Sequence, residues 1–423
     1  MLCANTYAAA VTWSTLDSPD RPNGVDVTTY AGRRAAVVGG SIGGLTAALL
    51  LDKLGFAVDV YERTPTELDN RGGGIVLQPI TGRWFEEYGS FGLDQLCTTT
   101  SRLRYLGPDN ELVHDEEAPH RYTSWGTLYR ALLSDLGRER YHLGQHCAGF
   151  DQDDDGVELR FTTGRVERAD LAVFADGISS SARRALFPDV QRKYAGYVGW
   201  RGTVPEDQVS GATSELVSDA LTYGVAPGTH MVLYPIPGLD GDVTPGNRLL
   251  NYVWYRNVPA GAPWLELVTD IGGFVGEVSV HPGRVQQRFV DELRATAAAT
   301  LPPAMAEVVQ TTEQPYLQTV MDVRVPHMAI GRAALIGDAA FAARPHAAAG
   351  TAKAAADAWA LYDYLAKGDG DIHATLRAWE PDQLTLGNQL IDRVVAMGTR
   401  SQVTNTWTPG DPELRFGLYA PGL

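Results

Sequence analysis

The chain reads as an α/β protein with α+β elements, and three observations predict it. A strand, a glycine cluster, a helix and a second strand follow one another in residues 33–62. Alternating short strands with Gly-, Pro- and Asp-rich turns fill the middle third, and α/β character returns in "RAALIGDAA" before an Ala-rich helix. Together they predict a Rossmann-like domain with an inserted mixed or antiparallel β-sheet and C-terminal helices. At 423 residues the chain is too long for one small core. The boundaries fall at 1–32, an N-terminal extension; 33–193, the first domain, which lends a hairpin near 100–117 to the second sheet; 194–318, the inserted sheet; and 319–423, which completes the first domain.

Each element has a local cause. "AAVV" is an apolar strand, the following helix carries Leu45, Leu49 and Leu54 on related faces, Gly55 stops it, and "AVDVYE" is the second strand. A helical stretch near Trp84 to Tyr88 precedes the hairpin "LRYLGPDNELVHDE", which turns at Pro108, Asp109 and Asn110. "TSWGTLYRALLSDLG" is a capped helix ending at Gly137. Strands follow at "CAGFDQ", "GVELRFT" and "RADLAVFADG", then at "YVGWRGTV", "HMVLYPIP" and "RLLNYVWYR". The closing helices run from about Thr351 to Ala366 and from Ile372.

A hydrophobic fraction of 44%, a charged fraction of 20% and a net charge of -16 describe a soluble globular chain whose partner is a small molecule rather than nucleic acid or an anionic membrane. Cys3, Cys97 and Cys147 have no metal-ligand spacing, so free thiols in a reducing cytoplasm and no metal are expected. The leader lacks a basic n-region and no segment reaches the length of a membrane span. Packing against the body or a neighbouring subunit of a homo-oligomer is the expectation for residues 1–32.

The stretch "VVGGSIGGL" carries the first chemistry. In a dinucleotide turn the outer glycines, here Gly39 and Gly44, permit the bend and the close packing of helix on strand. Ser41 replaces the middle glycine, and its hydroxyl can donate to a phosphate where the helix N-terminus already offers unpaired amides. Glu62 ends the second strand roughly twenty residues on, where a carboxylate accepts hydrogen bonds from ribose hydroxyls. Arg63 stands either against the adenine or in solvent.

Two later stretches, "ADLAVFADGISSSARR" and "RAALIGDAAFAARPHAAAG", resemble the second and third fingerprints of class A FAD-dependent aromatic monooxygenases, the p-hydroxybenzoate hydroxylase-like enzymes. From Arg33 onward the chain is most similar to the 2,6-dihydroxypyridine 3-monooxygenase branch, through "VDVYER", "GIVLQP", "YAGYVGWRG", "YPIPG", "LIGDAA", "RPHAAAG" and the final "FGL". The resemblance implies a Rossmann-like FAD-binding domain with the inserted sheet binding substrate, tightly bound FAD, and NADH or NADPH as a transient cosubstrate with O2. It places Asp176 near the pyrophosphate, Asp338 on the ribityl chain, and Gln78 and Arg130 toward the FAD. Pro345 and Gly350 then bound a flavin loop that departs from the family pattern, with Phe341 where a histidine is usual and small residues after His346.

The reaction implied is hydroxylation of an electron-rich ring through a C4a-hydroperoxyflavin. The substrate expected is a hydroxypyridine, free or carried on a natural-product intermediate of piericidin type. His346, with an ordinary pKa near 6.5, is the candidate base. Tyr234 is the second catalytic candidate, on the pocket wall, with core the alternative, and Trp200, Trp254 and Tyr255 are more readily core. A phenol-type hydroxylase, a flavin oxidase or dehydrogenase, and a non-enzymatic flavin-binding protein are the alternative readings.

Overall fold

The computed structural model describes residues 29–68 and 73–423. Most of the extension, and the expectation that it packs on the body or a neighbour, therefore lies outside the described residues. Its last residues belong to the core. Tyr30 is 1% exposed, stacks on Phe56 at 4.5 Å and donates to the Leu365 carbonyl, so the chain is anchored before its first strand.

A six-stranded sheet carries the nucleotide-type unit. Its order is Ala329–Ile330, Ala333–Leu335, Leu171–Phe174, Arg34–Val38, Ala57–Tyr61 and Tyr141–His142, all parallel except the first pair. Strand Arg34–Val38 lies centrally, and the helix Ile42–Lys53 leaves its C-terminal end. That helix is apolar nearly all round because sheet, helix Trp125–Leu136 and helix Gly350–Lys367 enclose it. Gly55, at φ +92°, provides the left-handed residue that ends it.

A nine-stranded mixed sheet stands beside it. In order it runs Ser279–Val280, Tyr316–Asp322, Lys193–Pro205, Leu249–Asn257, Thr229–Ile236, Ala220–Ala226, Thr98–Leu106, Leu112–Ser124 and Gly74–Val76. The hairpin Thr98–Leu106 and Leu112–Ser124 joins it by pairing parallel to Ala220–Ala226. One face, with Trp200, Met231, Leu233, Tyr252 and Trp254, packs on helices Gln287–Thr300 and Pro303–Thr311. These helices lie within the stretch that reads as strands and turns in the sequence. Val290, Leu293 and Ala297 give the first its buried stripe, and Pro303 starts the second.

The other face meets the C-terminal part of the chain. Helix Ile372–Gln402 places Leu390, Val394 and Met397 against it, and Trp407, Leu414 and Leu418 complete that core. Among the described residues no helix is long and apolar enough to cross a membrane.

Candidate active site

The glycine turn is built from steric necessity. Gly39 takes φ +106°, and a Cβ there would collide with the Ala175 carbonyl of the neighbouring strand end. A Cβ on Gly44 would strike the Gly39 carbonyl, so the helix can start this close to the strand only without side chains. Ser41 is the N-cap of helix Ile42–Lys53, yet its side chain makes no capping bond and it lines the central cavity. Glu62 is buried below the turn and accepts from the Gly40 amide at 2.9 Å and the Thr64 amide at 3.0 Å. Arg63 is exposed.

The second and third fingerprints meet beside that turn. Asp176 accepts from Ser181 through Oδ2, while its buried Oδ1 has no partner. Arg183, 2% exposed, donates to the carbonyls of Ile178, Asp338 and Ala339, tying one fingerprint to the other. Asp338 is open to the cavity although protein surrounds it. Desolvation pushes its carboxyl up to about 6, against the pull of Arg183 and Lys353.

Behind Asp338 lies a group the sequence reading passed over. Lys353 and Asp357, 1% and 0% exposed, form an ion pair one turn apart on helix Gly350–Lys367. Asp357 also accepts from the Gly337 amide at 2.8 Å, so the pair holds the turn that presents Asp338. Phe341, where the family usually has histidine, lies in the core under the Lys353 ammonium at 5.3 Å.

Gln78 is drawn to the loop after Pro345 rather than to the cavity wall, donating to the carbonyls of Ala347 and Ala348. Ala348 adopts φ +50°, the left-handed conformation this bracing maintains. Pro345 and Gly350 line the cavity, and Gly350 opens the helix whose N-terminal amides face it. Arg130 is half-buried on helix Trp125–Leu136, with a guanidinium nitrogen near Gly126. Phe416, from the terminal "FGL", also lines the cavity, and the next amide, Gly417, donates to Ala347.

One cavity of about 510 Å³ runs from the nucleotide end to the mixed sheet, with Glu62, Gln78 and Arg130 outside its lining. The nucleotide end is lined by Ser41, Gly43, Gly177, Gly337 and Asp338, the sheet end by cross-strand rows. Register places Tyr316, Arg201, Val253, Val232 and Tyr223 in one row, and Gln318, Gly199, Tyr255 and His230 in the next. Gly199 leaves space between Gln318 and Tyr255. Tyr234 lies one step further along, stacked on Tyr122 at 4.7 Å and facing the cavity. Tyr255 shares that face, whereas Trp200 and Trp254 point into the helix-backed core.

Burial governs the electrostatics here. His346 is 2% exposed, its Nε2 shares a 2.6 Å hydrogen bond with the Tyr197 hydroxyl, and its Nδ1 has no partner. Desolvation, then His230 and Arg344, hold its pKa well below 6.5. The ordinary histidine value that recommended it as a base therefore does not apply, and the imidazole is neutral at working pH. His230, stacked on Trp407, is pushed down to about 3 by burial. Burial raises the Tyr197 and Tyr234 phenols to about 12. The site thus joins a dinucleotide-type cradle to an aromatic chamber whose tyrosines and histidines are neutral and whose charged wall residue is Arg201, the layout of a cofactor-dependent enzyme acting on small rings.

A family described as FAD binding domain-like matches residues 194–322, which supply most of the mixed sheet. The chain is 37% identical to a 2,6-dihydroxypyridine 3-monooxygenase of Paenarthrobacter nicotinovorans over 91% of its length and 96% of the relative's. It is 29% identical to a 3-amino-4-hydroxybenzoate 2-monooxygenase of Streptomyces cremeus over 82% of each. The solved 2,6-dihydroxypyridine-3-hydroxylase of Arthrobacter nicotinovorans superimposes with a TM-score of 0.87 at 36% identity, covering 92% of this chain and 98% of that one. The chain belongs to the class A FAD-dependent aromatic monooxygenases and is an oxidoreductase of the hydroxylase type.

Proposed function

We propose that the chain hydroxylates a hydroxypyridine, free or carried on a larger intermediate of piericidin type, using NADH or NADPH and O2. The observation that carries the reading is the single cavity in which the glycine turn and Asp338 face a wall of Tyr223, Tyr234, Tyr255 and His346. The donor set fits FAD. Amides of the glycine turn and the N-terminus of helix Ile42–Lys53 suit a pyrophosphate, Glu62 keeps lone pairs for ribose hydroxyls, and Asp338 suits a ribityl chain. When bound, FAD supplies the electrons and the centre at which oxygen is activated for transfer to the ring. The chain's own part is to exclude water with Val232, Val253 and the tyrosines, and to orient the ring hydroxyl from His346 and Tyr234.

The test is a panel of hydroxypyridines and phenols scored by NADH and NADPH oxidation and by product mass under oxygen-18. One labelled atom gained by a hydroxypyridine is expected, with His346→Ala keeping FAD but coupling less reductant oxidation to product. Gain on phenols alone would move the substrate to that class. Reductant oxidation with no labelled product would indicate an oxidase, and FAD binding without turnover a flavin-binding protein.

A pH effect follows from Asp338. Its neutral form stabilises the apo-protein fully below the ordinary value of 3.8, and that contribution is lost as pH rises through about 6. A ribityl hydroxyl donates to the ionised form, so FAD affinity is expected to fall as pH drops below about 6. Asp338→Asn should flatten that dependence in flavin titrations, and an unaltered slope would remove Asp338 from FAD binding.

A further inference from the structure

Arg201 is the charged side chain on the aromatic wall. It stands in the cross-strand row between Tyr316 and Val253. No carboxylate among the described residues pairs with it, and its buried Nε has no hydrogen-bond partner. Among the described residues the only carboxylate lining the cavity, Asp338, belongs to the opposite, nucleotide end. The guanidinium also converges with other polar groups. A Cβ on Gly73 would lie 3.0 Å from Arg201 Nη1, 3.1 Å from Asn251 Oδ1 and 3.1 Å from the Tyr316 hydroxyl. Its positive charge acts on Tyr234, Tyr255 and Tyr316, each of which burial holds in its neutral form.

A partly buried guanidinium without a carboxylate partner, facing an aromatic-lined cavity, is costly unless a ligand brings the opposite charge. The neighbouring side chains do not bring it. Burial holds the Tyr234, Tyr255 and Tyr316 phenols in their neutral forms, and it depresses the basicity of His230 and His346, which carry no negative charge in either protonation state. None of the wall's buried groups is suited to removing and keeping a proton from the ring hydroxyl.

We propose that Arg201 is the specificity residue of this pocket, receiving the anionic ring oxygen of an already ionised hydroxy-heteroaromatic substrate. The inference rests on the hydroxylase reading above. This assignment is preferred over a second carboxylate-binding function because Arg201 shares its wall with Tyr234, Tyr255 and Tyr316, whose rings suit a flat substrate that carries its charge on a ring oxygen. Selection of the anion supplies the ring with the electron density that electrophilic oxygen transfer demands, without a base in the wall.

The test compares ring binding to the FAD-loaded enzyme, read from perturbation of the flavin absorbance, for a hydroxypyridine and its O-methyl ether. Arg201→Gln is expected to weaken the hydroxypyridine by about 10- to 100-fold, the range of a charge-assisted hydrogen bond, and the ether by less than about threefold. Arg201→Lys, which keeps the charge and guards against a folding artefact, should retain most of the discrimination. Equal weakening of both ligands, or a change in FAD affinity alone, would overturn the assignment. A wild-type enzyme that hydroxylates the ring while Arg201→Gln binds it normally would defeat this inference only. A wild-type enzyme that neither binds nor oxidises any hydroxylated ring would defeat the hydroxylase reading and this one together.

Discussion

Asp357→Ala is expected to destabilise the protein by about 3–5 kcal/mol, the loss seen when one partner of a buried ion pair is removed. The substitution leaves the Lys353 ammonium in a site where it is 1% exposed and has no other carboxylate within bonding distance among the described residues. It also frees the Gly337 amide, and with it the turn that presents Asp338. Denaturant unfolding checks the size of the loss, and FAD titration checks the turn. Lys353→Met combined with Asp357→Ala should recover part of the stability, because no uncompensated charge then remains. A single-variant loss below about 1 kcal/mol would show that the pair contributes little.

Glu62→Lys is expected to yield a colourless protein whose FAD affinity is reduced on the order of 100-fold or more, as loss of charge-assisted bonds and a reversed charge predict. Glu62 holds the Gly40 amide and the Thr64 amide from beneath the turn. A lysine both deserts those donors and places a cation beside them. Glu62→Gln, which keeps acceptors but loses charge, should lie between the two. FAD binding by the lysine variant within tenfold of the parent would separate Glu62 from the cofactor.

The elements with local causes were legible in the sequence. The glycine turn, the Ser124-capped helix and the hairpin turning at residues 107–111 each follow from nearby residues, and the class A resemblance pointed to the family. Groups defined by distant chain segments were not. Arg201 acquires its meaning from register with Tyr316 and Val253, which no local pattern encodes. His346 was visible, but its neutrality depends first on burial by other elements and then on His230 and Arg344. Only the Lys353 and Asp357 spacing, four apart in an Ala-rich helix, left a signal, and surface ion pairs show the same spacing.

The parallel sheet is assembled from both ends of the chain, pairing Ala172 with Ala333. Strand Leu171–Phe174, wholly buried in the finished protein, waits during synthesis for a partner that leaves the ribosome much later. The mixed sheet can meanwhile assemble most of its strands, since Thr98–Leu106 pairs with Ala220–Ala226. A nascent chain arrested before residue 333 therefore displays an open apolar edge of the kind that seeds aggregation. Soluble yield should depend on finishing translation more than on any property of the pocket, with slower synthesis at low temperature lengthening that exposure while weakening the hydrophobic association it invites.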